Sequence, residues 1–270
     1  MEMKDKVVVI TGSSQGIGKA FAWELATRGA KVVLNGRNDE KLKQTYQAFR
    51  AAGFEGLAIQ GDVAEPLSCE KIINKAVAAY GQVDYLVNNA ALSSKLSAAE
   101  ELSPTVYEQM FRVNCLGAIQ MTVAGLPHLK QSKGGVLFIS SLAAIHGIPE
   151  ASAYSSSKMA LTAFAQSLRL ELKKQQVYVG VAYLGFVEND TQKVIFDEQG
   201  GIIQQPDHGF VKATPPSVIA PQLSQMLIRR KRYQYFSGMG KALVALQRLS
   251  PWLLEQTMST IYRRRKAREA

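Results

Sequence analysis

An α/β fold organised on a parallel sheet is predicted by three observations. Short apolar runs alternate with helical patterns along most of the 270 residues, which is how successive βαβ units read. A glycine-bearing turn, Thr11 to Gly18, joins the first apolar run to the first helical pattern. A hydrophobic content of 47% over this length allows one sizeable core, so a second globular domain is not required.

The elements follow in order. Val7 to Ile10 is apolar throughout, as a strand covered on both faces must be. Lys19 to Arg28 reads as the next helix, ended by Gly29, and Lys31 to Leu34 as the second strand. Asp39 to Ala52 is a helix with Asn38 or Asp39 as its cap, since either short side chain can accept from an unpaired N–H of the first turn. Leu57 to Gln60 is the third strand and Cys69 to Tyr80 its helix. Val83 to Val87 is the fourth strand, followed by Asn88, Asn89, Ala90 and Ala91. Pro104 to Leu129 reads as one long helix, Val136 to Ile139 as the fifth strand and Ser152 to Lys174 as the helix after it. Tyr178 to Tyr183 is the sixth strand, and Tyr233 to Phe236 is a candidate seventh.

Two places in this frame carry chemistry. In the first turn, Gly12, Gly16 and Gly18 have the spacing Gly-x-x-x-Gly-x-Gly. Glycines permit a tight turn and close backbone approach, and the helix after the turn offers free N–H groups and a positive dipole end to a pyrophosphate. In the Ser152 to Lys174 helix, Tyr154 and Lys158 are one turn apart and project from the same face. A tyrosine is a poor proton donor or acceptor near neutral pH, and a neighbouring ammonium favours its phenolate. Ser141 lies at the carboxyl end of the preceding strand, where open α/β sheets place ligands. Its hydroxyl could hydrogen-bond the oxygen that Tyr154 protonates. The combination predicts proton transfer to a carbonyl or from an alcohol.

Thr11-Gly12-x-x-x-Gly16-Ile17-Gly18, Asn88-Asn89-Ala90, Asn114, Ser141 and Tyr154-x-x-x-Lys158 together resemble the short-chain dehydrogenase/reductase family over roughly residues 5 to 240. The resemblance implies a Rossmann-like, doubly wound sheet of about seven parallel strands over residues 1–240. It also implies a catalytic tetrad of Asn114, Ser141, Tyr154 and Lys158, in which Lys158 also holds the nicotinamide ribose and Asn114 helps place a water in a proton relay. Cofactor contacts are implied at Thr11, Gly12, Gly16, Ile17, Gly18, Asn89, Ala90, Gly185 and Val187, and adenine contacts at Asp62 and Val63. Two positions depart from the family pattern: Ala91 stands where a glycine is usual, and Leu184 replaces the proline before Gly185. The second departure bears on the backbone leading through Phe186, Val187, Glu188, Asn189, Asp190 and Thr191 to the nicotinamide carboxamide.

Charge decides the cofactor. An NAD site needs an acid at the end of the second strand, whereas a 2′-phosphate needs a cation. Here the order is Asn35, Gly36, Arg37, with the first carboxylate at Asp39. Arg37 could pair with the phosphate, helped by the Ser13 and Ser14 hydroxyls; NADP(H) is expected.

The stretch from Phe186 to Thr214 mixes Gly200, Gly201, Pro206 and Gly209 with Val194, Ile195, Phe196, Ile202, Ile203, Phe210 and Val211. It resembles the family's substrate lid, and its apolar character points to an apolar substrate. His128, His146 and His208 share no ligand spacing and no metal site is expected, although His146 or His208 could reach the cleft. Cys69 and Cys115 are isolated, which suits a reducing compartment such as the cytoplasm. No signal-like or spanning apolar segment is visible.

The basic character is concentrated at the C-terminus. From Met226 to Ala270, eleven Lys and Arg stand against two Glu, a net +9 out of +10 for the whole chain. Residues 241–270 read as an amphipathic helical extension: Leu243, Leu246, Leu249, Leu253, Leu254, Met258 and Ile261 recur near helical spacing, Pro251 splits the pattern, and Arg263 to Arg268 closes it. Such a segment could lie on an anionic membrane surface or pack on the domain or on a partner subunit. Nucleic acid fits poorly, because no aromatic interleaving or recognition motif accompanies the charge.

The predicted activity is NADPH-dependent reduction of an apolar, lipid- or steroid-like ketone to a secondary alcohol, reversibly, by a homodimer or homotetramer. A 3-oxoacyl-thioester reductase acting with an acidic carrier protein is the alternative enzyme. A membrane-surface nucleotide-binding scaffold is the alternative of another class, and it would be expected to show a damaged tetrad.

Overall fold

The computed structural model describes residues 2–188, 193–205 and 213–269. Its centre is a parallel sheet built from β1 (Val7–Ile10), β2 (Lys31–Gly36), β3 (Gly56–Gln60), β4 (Tyr85–Asn88), β5 (Gly135–Ser141), β6 (Tyr178–Leu184) and the short edge strand β9 (Tyr233–Tyr235). These seven strands lie in the order β3-β2-β1-β4-β5-β6-β9. Alternate residues of β1 enter different cores. Val7 and Val9 join Ile73, Met121 and Leu161 on one side; Val8 and Ile10 join Phe21, Leu25 and Leu223 on the other. Apolar cover on both faces is the physical reason for an unbroken apolar run in place of alternation.

The helices of the first half are α1 (Gly16–Thr27), α2 (Asp39–Ala51) and α3 (Pro66–Tyr80). Asn38 caps α2, its side chain accepting from Lys41 N. The long helix expected from Pro104 to Leu129 is two helices, α4 (Pro104–Phe111) and α5 (Ala118–Ser132), joined by a π-helical turn over Arg112–Gly117. Val113, Asn114, Cys115 and Gly117 of this turn are all buried, so the wider turn is enclosed by its neighbours and no local periodicity marks it. A short 3-10 turn, Leu142–Ala144, follows β5 and leads to α6 (Ser152–Glu171).

The lid contains structure that loop composition did not reveal. Val194–Phe196 and Ile202–Gln204 pair as an antiparallel hairpin, β7 and β8. Phe196 is buried with Leu102, Val106, Met110 and Ala153 in a small third core against which Tyr154 packs. Pro206, His208, Gly209, Phe210 and Val211, as well as Asn189, Asp190 and Thr191, lie outside the described residues. After the lid, α7 (Pro216–Ile228) packs on α1. Its opening proline and the internal Pro221 hide it from a periodicity reading, although proline at the first turn costs no hydrogen bond.

The tail forms α8 (Gly238–Leu249) and α9 (Pro251–Glu269), with the break before Pro251. The first of these helices begins before residue 241 and belongs partly to the domain: a Cβ on Gly240 would come within 2.6 Å of Leu142 Cδ2. The apolar residues of α9 do not form a single face. Leu254 is 2% exposed, whereas Trp252, Leu253 and Ile261 face outward. Among the described residues, no helix is long and apolar enough to cross a membrane.

Candidate active site

The strand order reverses between β1 and β4, which opens a crevice at their carboxyl ends. The glycine turn sits in that crevice and is locked from below. Thr11 Oγ1 accepts from Asn89 N at 2.9 Å and Ala90 N at 3.0 Å, and Asn89 Nδ2 donates to the carbonyls of Thr11 and Gly12 at 2.9 Å each. Gly12 has φ +62°, and a Cβ there would lie 2.8 Å from Ala90 Cα; a Cβ on Gly18 would collide with Asn89 Nδ2. Gly16, at φ +55°, faces open space, and no side chain caps the first turn of α1. Free N–H groups beside an uncrowded glycine fit a pyrophosphate. Ile17 packs beneath, against the core on that side of the sheet.

Two expectations for the adenosine end change. Ser13 Oγ is turned inward, donating to Ile10 O at 2.8 Å and accepting from Asn35 N at 2.9 Å; with the residue fully buried, that hydroxyl braces β2 and cannot reach a phosphate. Ser14 remains beside Gly36. Arg37 does have an acid nearby: Asp62 Oδ2 lies 3.7 Å from Arg37 Nη1. The pair spans the ends of β2 and β3, which strand pairing makes adjacent though 25 residues apart in the chain. Arg37 is 54% exposed and long enough to swing toward a phosphate. Val63 is buried against Gly117 of the π turn. Ala91 is exposed, so its extra methyl meets no crowding.

β5 and α6 bring the catalytic candidates together. Ser141 is the last residue of β5, and its Oγ accepts from Ala143 N at 3.2 Å. Lys158 is buried and donates through Nζ to Ile139 O at 3.0 Å, with Nζ 5.8 Å from the centre of the Tyr154 ring. Burial and the neighbouring positive charge of Lys193 lower the Lys158 ammonium to about 8. Burial also raises the Tyr154 phenol above its usual value, while the Ser141 hydroxyl, hydrogen-bonded to it, pulls the other way. The expected lowering of Tyr154 by Lys158 is therefore outweighed: desolvation of the phenolate dominates, and the relief comes from Ser141.

Asn114 is placed by the π turn and is nearly fully buried. Its Oδ1 accepts from Leu92 N at 2.7 Å, and its Nδ2 donates to Leu92 O at 3.0 Å and to Ser157 Oγ at 3.1 Å. Both amide protons are spent on protein acceptors, so a water could meet only the second lone pair of Oδ1 or the backbone. Ser157 Oγ in turn donates to Tyr154 O at 2.8 Å. This link, which no local sequence pattern predicts, ties Asn114 to the turn that carries Tyr154; the available signal was its position three residues after Tyr154 and one before Lys158. Lys193, also unanticipated, is brought in by the start of the hairpin.

After β6, Val187 bridges to Thr214, with Glu188 N donating to Thr214 O and Thr214 N to Phe186 O. Gly185 lies near Leu142 and Ser237. These contacts hold the backbone where the family's proline is missing. His146 turns from the cleft to the tail, its Nδ1 lying 3.1 Å from Gln247 Oε1; His208 is outside the described residues. Seen whole, the site sets a hydroxyl pair, Ser141 and Tyr154, beside a buried amine at the end of the crevice that fits a dinucleotide.

Residues 6–200 match the family described as short chain dehydrogenase. Over 266 residues, 95% of this chain and 75% of the relative, the chain is 31% identical to 11-beta-hydroxysteroid dehydrogenase 1A of Arabidopsis thaliana. It is also 31% identical over 264 residues, 96% and 73% of the two chains, to the uncharacterized oxidoreductase YxnA of Bacillus subtilis. An alcohol dehydrogenase from the archaeon Thermococcus sibiricus, solved with 5-hydroxy-NADP, superposes with a TM-score of 0.74 at 27% identity, covering 86% of this chain and 96% of that one. A short chain dehydrogenase/reductase from Burkholderia phymatum in complex with NAD gives a TM-score of 0.80 at 22% identity, covering 94% and 96%, a likeness of fold alone.

Proposed function

The chain belongs to the short-chain dehydrogenase family and is an oxidoreductase of the CH–OH/C=O couple; on that premise we propose that it is an NADPH-dependent reductase of an apolar, lipid- or steroid-like ketone. The observation that carries the reading is the Tyr154–Ser141 hydroxyl pair beside buried Lys158. When bound, the reduced nicotinamide supplies the hydride. Tyr154 gives its phenolic proton to the carbonyl oxygen, and Ser141 donates a hydrogen bond to that oxygen as negative charge develops on it. A phenol whose pKa is raised by burial is held protonated, the state a donor needs. Lys158 would hold the ribose of the bound cofactor and pass a proton toward Tyr154; Asn114, through Leu92 and Ser157, keeps the facing walls in register.

NADPH is favoured over NADH by Arg37 and by the absence of any acidic side chain at Gly36, the last residue of β2. Asp62 tempers that preference, because its charge opposes a phosphate near Arg37. The apolar substrate is supported by the lid, where Phe186, Val194 and Ile202 stay exposed. The name of the plant relative, a hydroxysteroid dehydrogenase, agrees with that class. Leu116, Val123 and Leu170, exposed on α4–α5 and α6, supply apolar surface for a homodimer or homotetramer. Two isolated, reduced cysteines suit the cytoplasm as the setting.

The test is NADPH oxidation with ketosteroids, long-chain 3-keto lipids and 3-oxoacyl thioesters, repeated with Tyr154→Phe. Turnover should fall by about 10²–10⁴-fold while NADPH affinity is unchanged, because only the proton donor is lost. Near-normal turnover by Tyr154→Phe would remove the assignment, and activity confined to thioesters would transfer it to the carrier-linked class.

A further inference from the structure

The two tail helices leave an apolar surface that the fold does not use. In α9, residues four apart share a face. Leu254, Met258 and Tyr262 form the inward stripe, with Leu254 buried and the other two half-buried. The opposite side of α9 is apolar at its start, Trp252 and Leu253, and continues through Gln256, Thr260, Arg263 and Arg264, all exposed. Leu249 at the end of α8 is 84% exposed, and Trp252, at the start of α9, is 67% exposed. The inward stripe already provides the packing that holds the helix, so the outward residues are surplus to it.

We propose that the exposed apolar corner where the two helices meet, Leu249, Trp252 and Leu253, flanked by Arg248 and, farther along α9, by Arg263 and Arg264, docks on an anionic lipid bilayer. Charge selects the occupant. From Lys241 onward seven Lys and Arg stand against two Glu, a net +5, within a C-terminal region of net +9. A second copy meeting the same face across a two-fold axis would bring like charges together. A bilayer carrying anionic headgroups attracts them, and its apolar margin accepts the two Leu side chains and the indole, a side chain that favours that depth. Shallow insertion is the appropriate mode, since among the described residues no helix could span.

The tail is fastened next to the catalytic loop. Gly240 packs on Leu142, Gln247 meets His146 at 3.1 Å, and Lys266 Nζ pairs with Glu150 Oε1 at 2.6 Å. These three contacts run along the segment from Ser141 to α6, so a docked tail holds the mouth of the cleft beside the bilayer. An apolar ketone could then enter without crossing water. That delivery rests on the proposed activity, whereas docking itself does not.

The experiment uses the full chain with NADPH bound and vesicles of phosphatidylcholine with or without phosphatidylglycerol. Cosedimentation is expected only with phosphatidylglycerol, partly reversed by salt, together with a blue shift of tryptophan emission that Trp252→Phe removes. Leu249→Glu with Leu253→Glu should weaken vesicle binding by about tenfold or more, as should Arg263→Glu with Arg264→Glu, with NADPH affinity unchanged in both. Equal binding to both vesicles, no binding, or no effect of either double variant would overturn the proposal. So would a change of oligomeric state in Leu253→Glu, which would make this face a subunit contact. None of these readouts depends on turnover, so loss of the reductase assignment would leave them standing.

Discussion

The proton-transfer centre and the lid-and-tail region differ in how their residues are held. Around Asn114, Ser157 and Lys158 the polar atoms are buried and meet protein partners at 2.7 to 3.1 Å. The hairpin is tied at one end, by backbone bonds of Phe196 to Ser93 and Lys95 and by Glu198 to Lys95 and Ser97, while it and the tail helices leave Val194, Ile202, Leu249 and Trp252 in solvent. Chemistry needs fixed geometry, whereas entry of a bulky substrate needs surfaces that can be displaced at little cost. A centre so built should respond sharply to small changes, and the lid only weakly.

The largest expected effect comes from the buried cation. Burial first, and the charge of Lys193 second, lower the Lys158 ammonium from an ordinary 10.5 to about 8. Between those values the unfolded chain holds a proton that the folded one has lost, so this group makes stability rise with pH across that window. Lys158→Met should abolish activity, remove that rise, and stabilise the apo protein at neutral pH by on the order of 3 kcal/mol. Thermal melts near neutral pH and at about pH 9.5 check it; a less stable variant would mean that the bond to Ile139 O outweighs the desolvation.

Ser157→Ala comes next. It leaves an amide proton of Asn114 unsatisfied, which costs about 1–3 kcal/mol. As a positioning residue it should lower kcat roughly tenfold with little change in KM. Ser157→Cys, which restores a weak acceptor, should recover part of that loss; equal damage by both variants would point to packing alone. Arg37→Asp should shift preference from NADPH toward NADH by about tenfold or more, read from the ratio of kcat/KM values. An unchanged ratio would place the phosphate elsewhere. Smallest in stability is Ile202→Ser on the hairpin, expected within about 0.5 kcal/mol of the parent, yet raising KM for an apolar ketone. A large loss of stability there would erase the contrast between the two regions.

Legibility in the sequence follows the same divide. The strands, the glycine turn and the Tyr154–Lys158 pair lie in local patterns, because apolar runs and one-turn spacing are properties of neighbouring residues. Contacts between distant segments were not legible. Arg37 and Asp62 meet because β2 and β3 are adjacent, Ser13 Oγ accepts from Asn35 N because β2 lies beside it, and Ser157 meets Asn114, 43 residues away, across the fold. The hairpin and α7 escaped for another reason: glycines and prolines there mask short elements that tertiary contacts stabilise.

The π turn at Arg112–Gly117 also acts as an angular adjuster. Each residue added to a helix rotates the rest of that helix by about 100°, so one wide turn changes the direction in which the remainder faces. Before it, Val106 and Met110 point to the small core shared with Phe196 and Tyr154. After it, Met121 and Leu129 point to the main sheet. A regular helix would have to favour one of these two directions. Deleting a single residue from the turn would therefore do more than move Asn114: it would set the lid's core and the sheet's core in competition for the same rotation of α5.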